Sequence, residues 1–438
     1  MGPEWVAIIA LVVLFAIGTA LPINMGALAY VAAWLVGMYS LDLDEKEILA
    51  GVSGDLILTL IGVTYLFAIA KNNGTVDLIV TQAVKAVGGR VALIPWVMFG
   101  VTALLTGIGA ASPAACAIIG PIALGFAGKY NISPLMMGMF VVHGAQGGGF
   151  SPISIYGTIT NSVMRDNGLP VGEMTIFLAS LVVNLIMAAI LFLLLGGRRL
   201  MSQRIEPDED EIRHDLHTGG ATVPARGYGT DAPTGTKAQG VRLDQVLTLI
   251  AFVGVAVVAL AFDKNIGFVS ITAAVILNML APKQHTDAVR AIAWPTVLLV
   301  AGVSTYAAIL TQAGSPEFVG KWAAGLGAAA IGALILCYVG GVVSAFASST
   351  ALLPIIIPIS LPIIAEHGIS AVALVAALAI ASTIVDVSPF STNGALMLAN
   401  RPETISEPVY YKQILTYSVI VVAVGPLLVW AAFILPSW

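Results

Sequence analysis

Charge is what this sequence has least of. Asp, Glu, Lys and Arg make up 10 % of its 438 residues, where a soluble globular protein carries about 25 %. Cysteine is nearly absent: Cys116 and Cys337 sit singly inside apolar blocks, without the spacing of a disulfide or metal framework. The His214 and His217 pair lies in a polar stretch with no Cys or further His nearby, so it reads as solvated rather than metal-binding. There is no His-Glu-x-x-His pattern and no Gly-x-Ser-x-Gly turn, so a membrane-embedded hydrolase would lack its metal or nucleophile pair; we expect no enzyme. What is present is apolar sequence, 58 % of the chain, in blocks of membrane-spanning length from residue 5 to the last. Soluble enzymes, nucleic-acid binders and disulfide-stapled secreted domains are thereby excluded, and the fold class is an all-α polytopic membrane protein.

One segment departs from this pattern. Residues 198–244 hold 15 of the 43 charges together with a Gly/Thr/Pro/Ala run, and read as a hydrophilic linker. The flanking halves, 1–197 and 245–438, are nearly equal in length, which calls for a repeat test. At a constant offset of 237, residues 110–157 align with 347–394 without a gap, giving 14 identities in 48 columns. The identities fall on Ser112 and Ser349, Pro121 and Pro358, Ile132-Ser133 and Ile369-Ser370, and on Ser151-Pro152-x-Ser154-x-x-Gly157 against Ser388-Pro389-x-Ser391-x-x-Gly394. We read an internal duplication.

Each half then predicts the same order. Three apolar spans come first (about 5–20, 22–39 and 52–70; then 245–262, 266–281 and 294–312), followed by a weaker amphipathic stretch (about 74–88; 315–325). Two arms joined by a tip too short for an aqueous loop predict a re-entrant hairpin at about 91–127 and again at 329–365. A helix broken at Ser151 or Ser388 (about 133–165; 369–400) and a last span (172–197; 411–435) complete each half. The total is about ten transmembrane helices, two hairpins and two broken helices.

With five spans and a hairpin per half, the halves must be inverted relative to each other. Placing both termini outside puts 15 Lys and Arg on the inner face, seven of them in a cytoplasmic linker, against Lys46, Arg165, Lys264 and Lys321 outside. The expected location is a bacterial inner membrane.

Backbone groups cannot be left bare in hydrocarbon, so a Ser-Pro-Gly interruption at membrane depth must be buried in protein or line a cavity. The freed N–H groups of a half-helix suit an anion, while carbonyls and hydroxyls suit a sodium ion. Asp386 is the one carboxylate deep in an apolar block; it could coordinate sodium, carry a coupling proton, or cap the following half-helix. His143, eight residues before Ser151, is either a packed, hydrogen-bonded histidine or a proton-coupling group. Tyr65 and Tyr306 read as repeat-related packing or hydrogen-bonding residues.

Around the tips the sequence resembles the ion transporter superfamily, the fold of the divalent anion/sodium symporters. Ser344-Ala-Phe-Ala-Ser348-Ser349-Thr350-Ala-Leu-Leu-Pro354 stands where that family shows a Ser-Asn-Thr signature, and the first half carries Ala111-Ser112-Pro113 at the matching place. The layout, the linker and Gly147-Gly-Gly-Phe-Ser-Pro-Ile-Ser-Ile-Tyr-Gly157 look closest to the malonate/dicarboxylate carrier branch. The resemblance implies a homodimer that moves a carboxylate by an elevator-like motion, with substrate and sodium held at hairpin tips and helix breaks. Carried onto this chain, the substrate-binding residues are Ser112, Ser151, Ser154, Gly157, Ser349, Thr350, Ser388, Ser391, Thr392 and Asn393, and the ion-coupling residues are Ser348, Asp386, Gly394 and His143.

The expected function is secondary-active transport of a small organic anion, a dicarboxylate such as malonate or succinate, driven by sodium or protons; the alternative is a sodium/proton antiporter or inorganic oxyanion exporter on the same fold. The implied partners are the carboxylate, the coupling cation, the bilayer and a second copy of the chain, with no nucleic acid and no cofactor beyond sodium. No Arg or Lys falls near the breaks or tips, so helix termini, hydroxyls and the co-transported cation must recognise the anion, and cation binding should strengthen anion binding.

Overall fold

The computed structural model describes residues 2–85, 87, 88, 90–202, 242–262, 264–324, 329–345, 349–367 and 369–437. Ser348 and most of the expected linker, with His214 and His217, lie outside the described residues. The first half forms α1 (Pro3–Ala20), α2 (Met25–Ser40), α3 (Glu45–Ala50), α4 (Gly54–Asn72) and α5 (Thr75–Lys85). A 3-10 turn at Val91–Leu93 leads into α6 (Ile94–Gly107) and α7 (Ser112–Lys129), which pack on each other as hairpin arms. Then come α8 (Pro134–Gly148), α9 (Ile155–Asp166), α10 (Glu173–Leu194) and the single turn α11 (Gly197–Leu200).

The second half runs in the same order. It holds α12 (Leu243–Ala261), α13 (Ile266–Leu280), α14 (Trp294–Gln312) and α15 (Ser315–Ala324), then α16 (Ala329–Ser344), α17 (Ser349–Ile359) and α18 (Leu361–His367). It closes with α19 (Ala371–Ile384), α20 (Thr392–Ala399) and α21 (Glu407–Phe433). The expected spans are helical to within about one turn of their expected ends. Among the described residues five helices, α4, α7, α10, α14 and α21, are long and apolar enough to cross a membrane, and shorter apolar helices accompany them. The protein is an integral membrane protein.

Two local features depart from the expected pattern. The acidic loop after α2 contains α3, because Asp44 and Glu47 form a capping box in which each side chain accepts the other's backbone N–H at 2.8 Å. The returning arm of the second hairpin is divided into α17 and α18 at Ser360. Pro354, Pro358 and Pro362 recur every fourth residue, so the N–H that each preceding carbonyl would accept in this arm is missing.

The duplicated residues have local structural reasons. Ser133 and Ser370 are the N-caps of α8 and α19, accepting from Met136 N at 3.3 Å and Ala373 N at 3.4 Å. In the crossing of α2 with α14, a Cβ on Gly26 would come within 2.1 Å of Leu298 O, and one on Gly302 within 2.0 Å of Gly26 O. The crossing of α4 with α13 repeats this with the roles exchanged: a Cβ on Gly62 would lie 2.6 Å from Gly267 O, and one on Gly267 2.7 Å from Thr59 N. Gly26 and Gly267 are each the second residue of their helix, and Gly62 and Gly302 each the ninth. Small residues let the two backbones approach where no water is available to drive association.

Side-chain hydrogen bonds between distant helices fall into two sets. One joins α1, α2, α4, α5 and α12–α15, through pairs such as Asn24 with Pro295 O, Tyr306 with Ala7 O, Asn278 with Tyr65, and Asn73 with Thr248. The other joins α6–α11 and α16–α21, through His143 with Asn184 and Tyr417, Tyr410 with Pro134 O, Tyr338 with Ala423 O, and Trp430 with Ala330 O. The contacts between the sets, as where α14 packs on α17 or α5 on α6, are predominantly apolar.

Candidate functional site

The helix breaks are built by their own hydroxyls. At the first, Ser154 caps α9 by accepting from Gly157 N at 3.4 Å, and its hydroxyl donates to the carbonyls of Gly149 and Ser151. At the second, Ser391 caps α20 by accepting from Gly394 N at 3.3 Å and donates to Ser388 O at 2.8 Å. Ser151 and Ser388 close the preceding turns, accepting from Ile153 N and Phe390 N at 3.4 and 3.1 Å. A Cβ on Gly157 or Gly394 would sit 2.0 Å from the carbonyl of Ser151 or Ser388. The Ser-Pro-x-Ser-x-x-Gly repeat is therefore a turn-and-cap device.

Two breaks and two hairpin tips meet at one cavity of about 390 Å³, inside the range of small-ligand sites. Its lining includes Ser112 at the start of α7, Ile155 and Tyr156 at the start of α9, Ser349 and Thr350 at the start of α17, and Ser391 and Thr392 at the start of α20. Four helix N-termini thus face a single space, each carrying up to about half a positive charge. Gly18, Asn24, Met25, Pro295, Thr296 and Leu299, from α1, α2 and α14, form the opposite wall.

Asp386 is the acidic side chain of this lining. Its Oδ2 accepts from Asn393 Nδ2 at 2.8 Å and Gln146 Nε2 at 3.2 Å, and it also lies against Ser391 and the backbone amide of Asn393 in the first turn of α20. It therefore caps α20 and lines the cavity at once. Asn393 Nδ2 reaches Ser112 Oγ as well, at 2.7 Å. The amide oxygens Asn393 Oδ1 and Gln146 Oε1 are buried with no protein partner among the described residues. A carboxylate beside two amide side chains whose oxygens are unpartnered offers hard oxygens that can take an alkali cation or share a proton. Among the described residues no cluster of three His, Cys, Asp or Glu could hold a metal.

Of the expected substrate residues, the structure brings Ser112, Ser349, Thr350, Ser391 and Thr392 to the cavity wall, and Asn393 directly behind it. Ser151, Ser154, Gly157 and Ser388 shape the breaks, as does Gly394, which was expected to couple ions. His143 lies apart, buried between Asn184 Oδ1 at 2.8 Å and Tyr417 OH at 2.6 Å. Because Asn184 Oδ1 only accepts, the imidazole carries its proton on Nδ1 and Nε2 accepts from the phenol. Tyr65 accepts from Asn278 at 2.7 Å and Tyr306 donates to Ala7 O at 2.6 Å, as hydrogen-bonding packing residues.

Tyr156, Gln146 and the wall from α1, α2 and α14 were missed. The Tyr156 hydroxyl faces both Ser112 and Ser349. The offset of 237 that relates Ser112 to Ser349 relates Tyr156 to Asn393, and the hairpin arm of each half meets the half-helix of the other. That offset could have exposed Tyr156 in the sequence. Nothing in the sequence marks Gln146 or the plain spans.

Comparison with known proteins agrees with this architecture. Residues 1–149 match the family described as the dicarboxylate carrier protein MatC N-terminus, and residues 247–437 match the family described as citrate transporter. Neisseria gonorrhoeae MtrF, reported as illuminating a class of antimetabolite efflux pumps, is similar in fold at a TM-score of 0.57 and 12 % identity, over 98 % of this chain and 95 % of that one. The Alcanivorax borkumensis YdaH transporter is similar at 0.50 and 12 % identity, over 88 % and 86 %. No curated protein sequence matches the chain.

Proposed function

We propose, from the premise that this chain belongs to the ion transporter superfamily, that it is a secondary-active transporter of a small dicarboxylate of the malonate or succinate kind, coupled to sodium or protons. The observation that carries this reading is the convergence of the N-termini of α7, α9, α17 and α20 on one cavity that, among the described residues, holds a carboxylate and no Lys, Arg or His. Helix termini and hydroxyls supply the anion's partners. A cation on Asp386, with Asn393 Oδ1 and Gln146 Oε1, removes the repulsion between that carboxylate and the cargo, so cation and anion bind cooperatively.

Two inverted repeats, 1–197 and 245–438, joined by a cytoplasmic linker at 198–244, fit the matching helix order and the exchanged glycine crossings. Both termini then lie outside a bacterial inner membrane. The division of side-chain hydrogen bonds into two sets supports an elevator-like motion, in which α6–α11 and α16–α21 carry the cavity past the remaining helices, in a homodimer.

The test is counterflow of labelled malonate and succinate in proteoliposomes, with and without a sodium or pH gradient. Uptake that depends on either gradient is expected. No uptake of any C3 to C6 carboxylate would reject this cargo. Sodium/proton exchange or oxyanion efflux in the same vesicles would favour the antiporter or exporter reading.

A further inference from the structure

Among the described residues a single side-chain hydrogen bond joins the two helix sets. Ser162 Oγ on α9, fully buried, donates to Asp55 Oδ2 at the start of α4, at 3.2 Å. Asp55 is held from its own side by Asn265 Nδ2, whose Oδ1 caps α13 by accepting from Phe268 N at 3.1 Å, so the acceptor stands on a fixed base.

The contact has no counterpart in the other repeat. Position 162 corresponds to Ala399 at the offset of 237, and Asp55, the second residue of α4, corresponds to Pro295, the second residue of α14. The packing is asymmetric in the same sense: α4 lies on the half-helix α9, whereas α14 lies on the hairpin arm α17. With both termini outside, Asp55 and Ser162 lie at the outer face. Gly18, Asn24 and Pro295 place the opposite wall of the cavity at the cytoplasmic ends of α1, α2 and α14.

We propose that the Asp55–Ser162 hydrogen bond is a one-sided latch, which closes the outer seam between the two helix sets while the cavity faces the cytoplasm and must break for the cavity to face outward. This rests on the elevator reading above. In the opposite state the symmetry-related partners, Pro295 and Ala399, have no side-chain donor or acceptor, so only the inward-facing state is held in this way. Asp166, one turn beyond Ser162, stands within charge-interaction range of Asp55, and the neighbouring Arg165, which also pairs with Glu173 at 3.1 Å, acts on it with the opposite sign.

The test is a distance measurement on the full chain in lipid nanodiscs, with spin labels at Leu49→Cys on α3 and Pro170→Cys after α9, both exposed, and Cys116 and Cys337 replaced by Ala. Ser162→Ala should shift the ratio of the two distance populations about tenfold away from the latched one, the scale of a partly exposed hydrogen bond to a charged group. Asp55→Asn should shift it in the same direction, which guards against a folding defect in either variant. Unchanged distributions in both variants would overturn the latch. A reducible bridge in Asp55→Cys/Ser162→Cys should stop uptake until it is reduced, whereas one in Asp55→Cys/Asn265→Cys, within one set, should not. Uptake through the bridged first pair would also overturn the proposal. The distance readout needs no cargo, so a shifted distribution in a protein that carries no carboxylate would uphold the latch and reject the substrate reading.

Discussion

Ser112 Oγ accepts a hydrogen bond from Asn393 Nδ2 at 2.7 Å across 281 residues of chain. The corresponding tip residue of the other half, Ser349, lies within interaction range of Tyr156, while its hydroxyl is bonded to Ser344 Oγ at 2.7 Å and donates to Ser382 O at 3.2 Å. The hairpin arm of each half packs on the half-helix of the other, so neither half holds a complete site. The asymmetry of the site follows from which side chains occupy the paired positions: Tyr156 against Asn393, and Gly149 against Asp386.

Tyr156 and Ser349 each bring a hydroxyl to the cavity wall, from the starts of α9 and α17. Tyr156→Phe and Ser349→Ala are each expected to weaken anion uptake about fivefold to tenfold, the ordinary worth of one hydrogen bond. Initial rates over a substrate series, with surface expression measured alongside, check this.

Asp386→Asn removes the charge that a coupling cation would neutralise. Exchange of labelled anion should persist, while the dependence of net uptake on sodium or pH flattens. Unchanged coupling would reduce Asp386 to its capping role on α20. Because Gln146 Oε1 belongs to the proposed cation set, Gln146→Leu should weaken cation dependence in the same direction.

The glycines at the breaks are structural. Gly157→Ala and Gly394→Ala each drive a Cβ against a backbone carbonyl and should cost about 1–3 kcal/mol, read as a lower melting temperature in detergent. Gly125→Ala on α7, where a Cβ meets nothing within 4 Å, should be neutral or slightly stabilising.

His285, in the turn between α13 and α14, is buried and its Nδ1 has no protein partner among the described residues. Burial pushes its pKa below the usual histidine value; Asp244 opposes the shift and Arg242 adds to it. The unfolded chain therefore takes up a proton at a pH where the folded one does not, so stability should fall as pH drops through the ordinary histidine range. His285→Gln should flatten that fall in melting curves taken from pH 8 to pH 5.

Much of the fold was legible because lipid imposes a simple rule on sequence. Apolar runs of spanning length, Ser133 and Ser370 as helix starts, and the Ser-Pro-x-Ser-x-x-Gly breaks are local, so spacing and residue type locate them. Roles were harder to read than positions. Ser154 and Ser391 carry hydroxyls at the right place, yet each is engaged with the backbone that it caps, and a sequence does not distinguish a hydroxyl turned inward from one turned to a ligand. His143 drew notice as a polar group in an apolar run, and its partners Asn184 and Tyr417, 41 and 274 residues away, settle its tautomer and keep it from the cavity wall.

The sequence by itself determined that the chain lies in a membrane and where its helices stop, because both depend on hydrophobicity or capping within a few residues. Tertiary structure decided which stops meet. Only the packing of α7 on α20, and of α17 on α9, brings Ser112 to Asn393 and Ser349 to Tyr156. Only the packing of α4 on α9 places Asp55 beneath Ser162. Such contacts join positions more than a hundred residues apart, whose side chains need only the right length and polarity once the backbones have met.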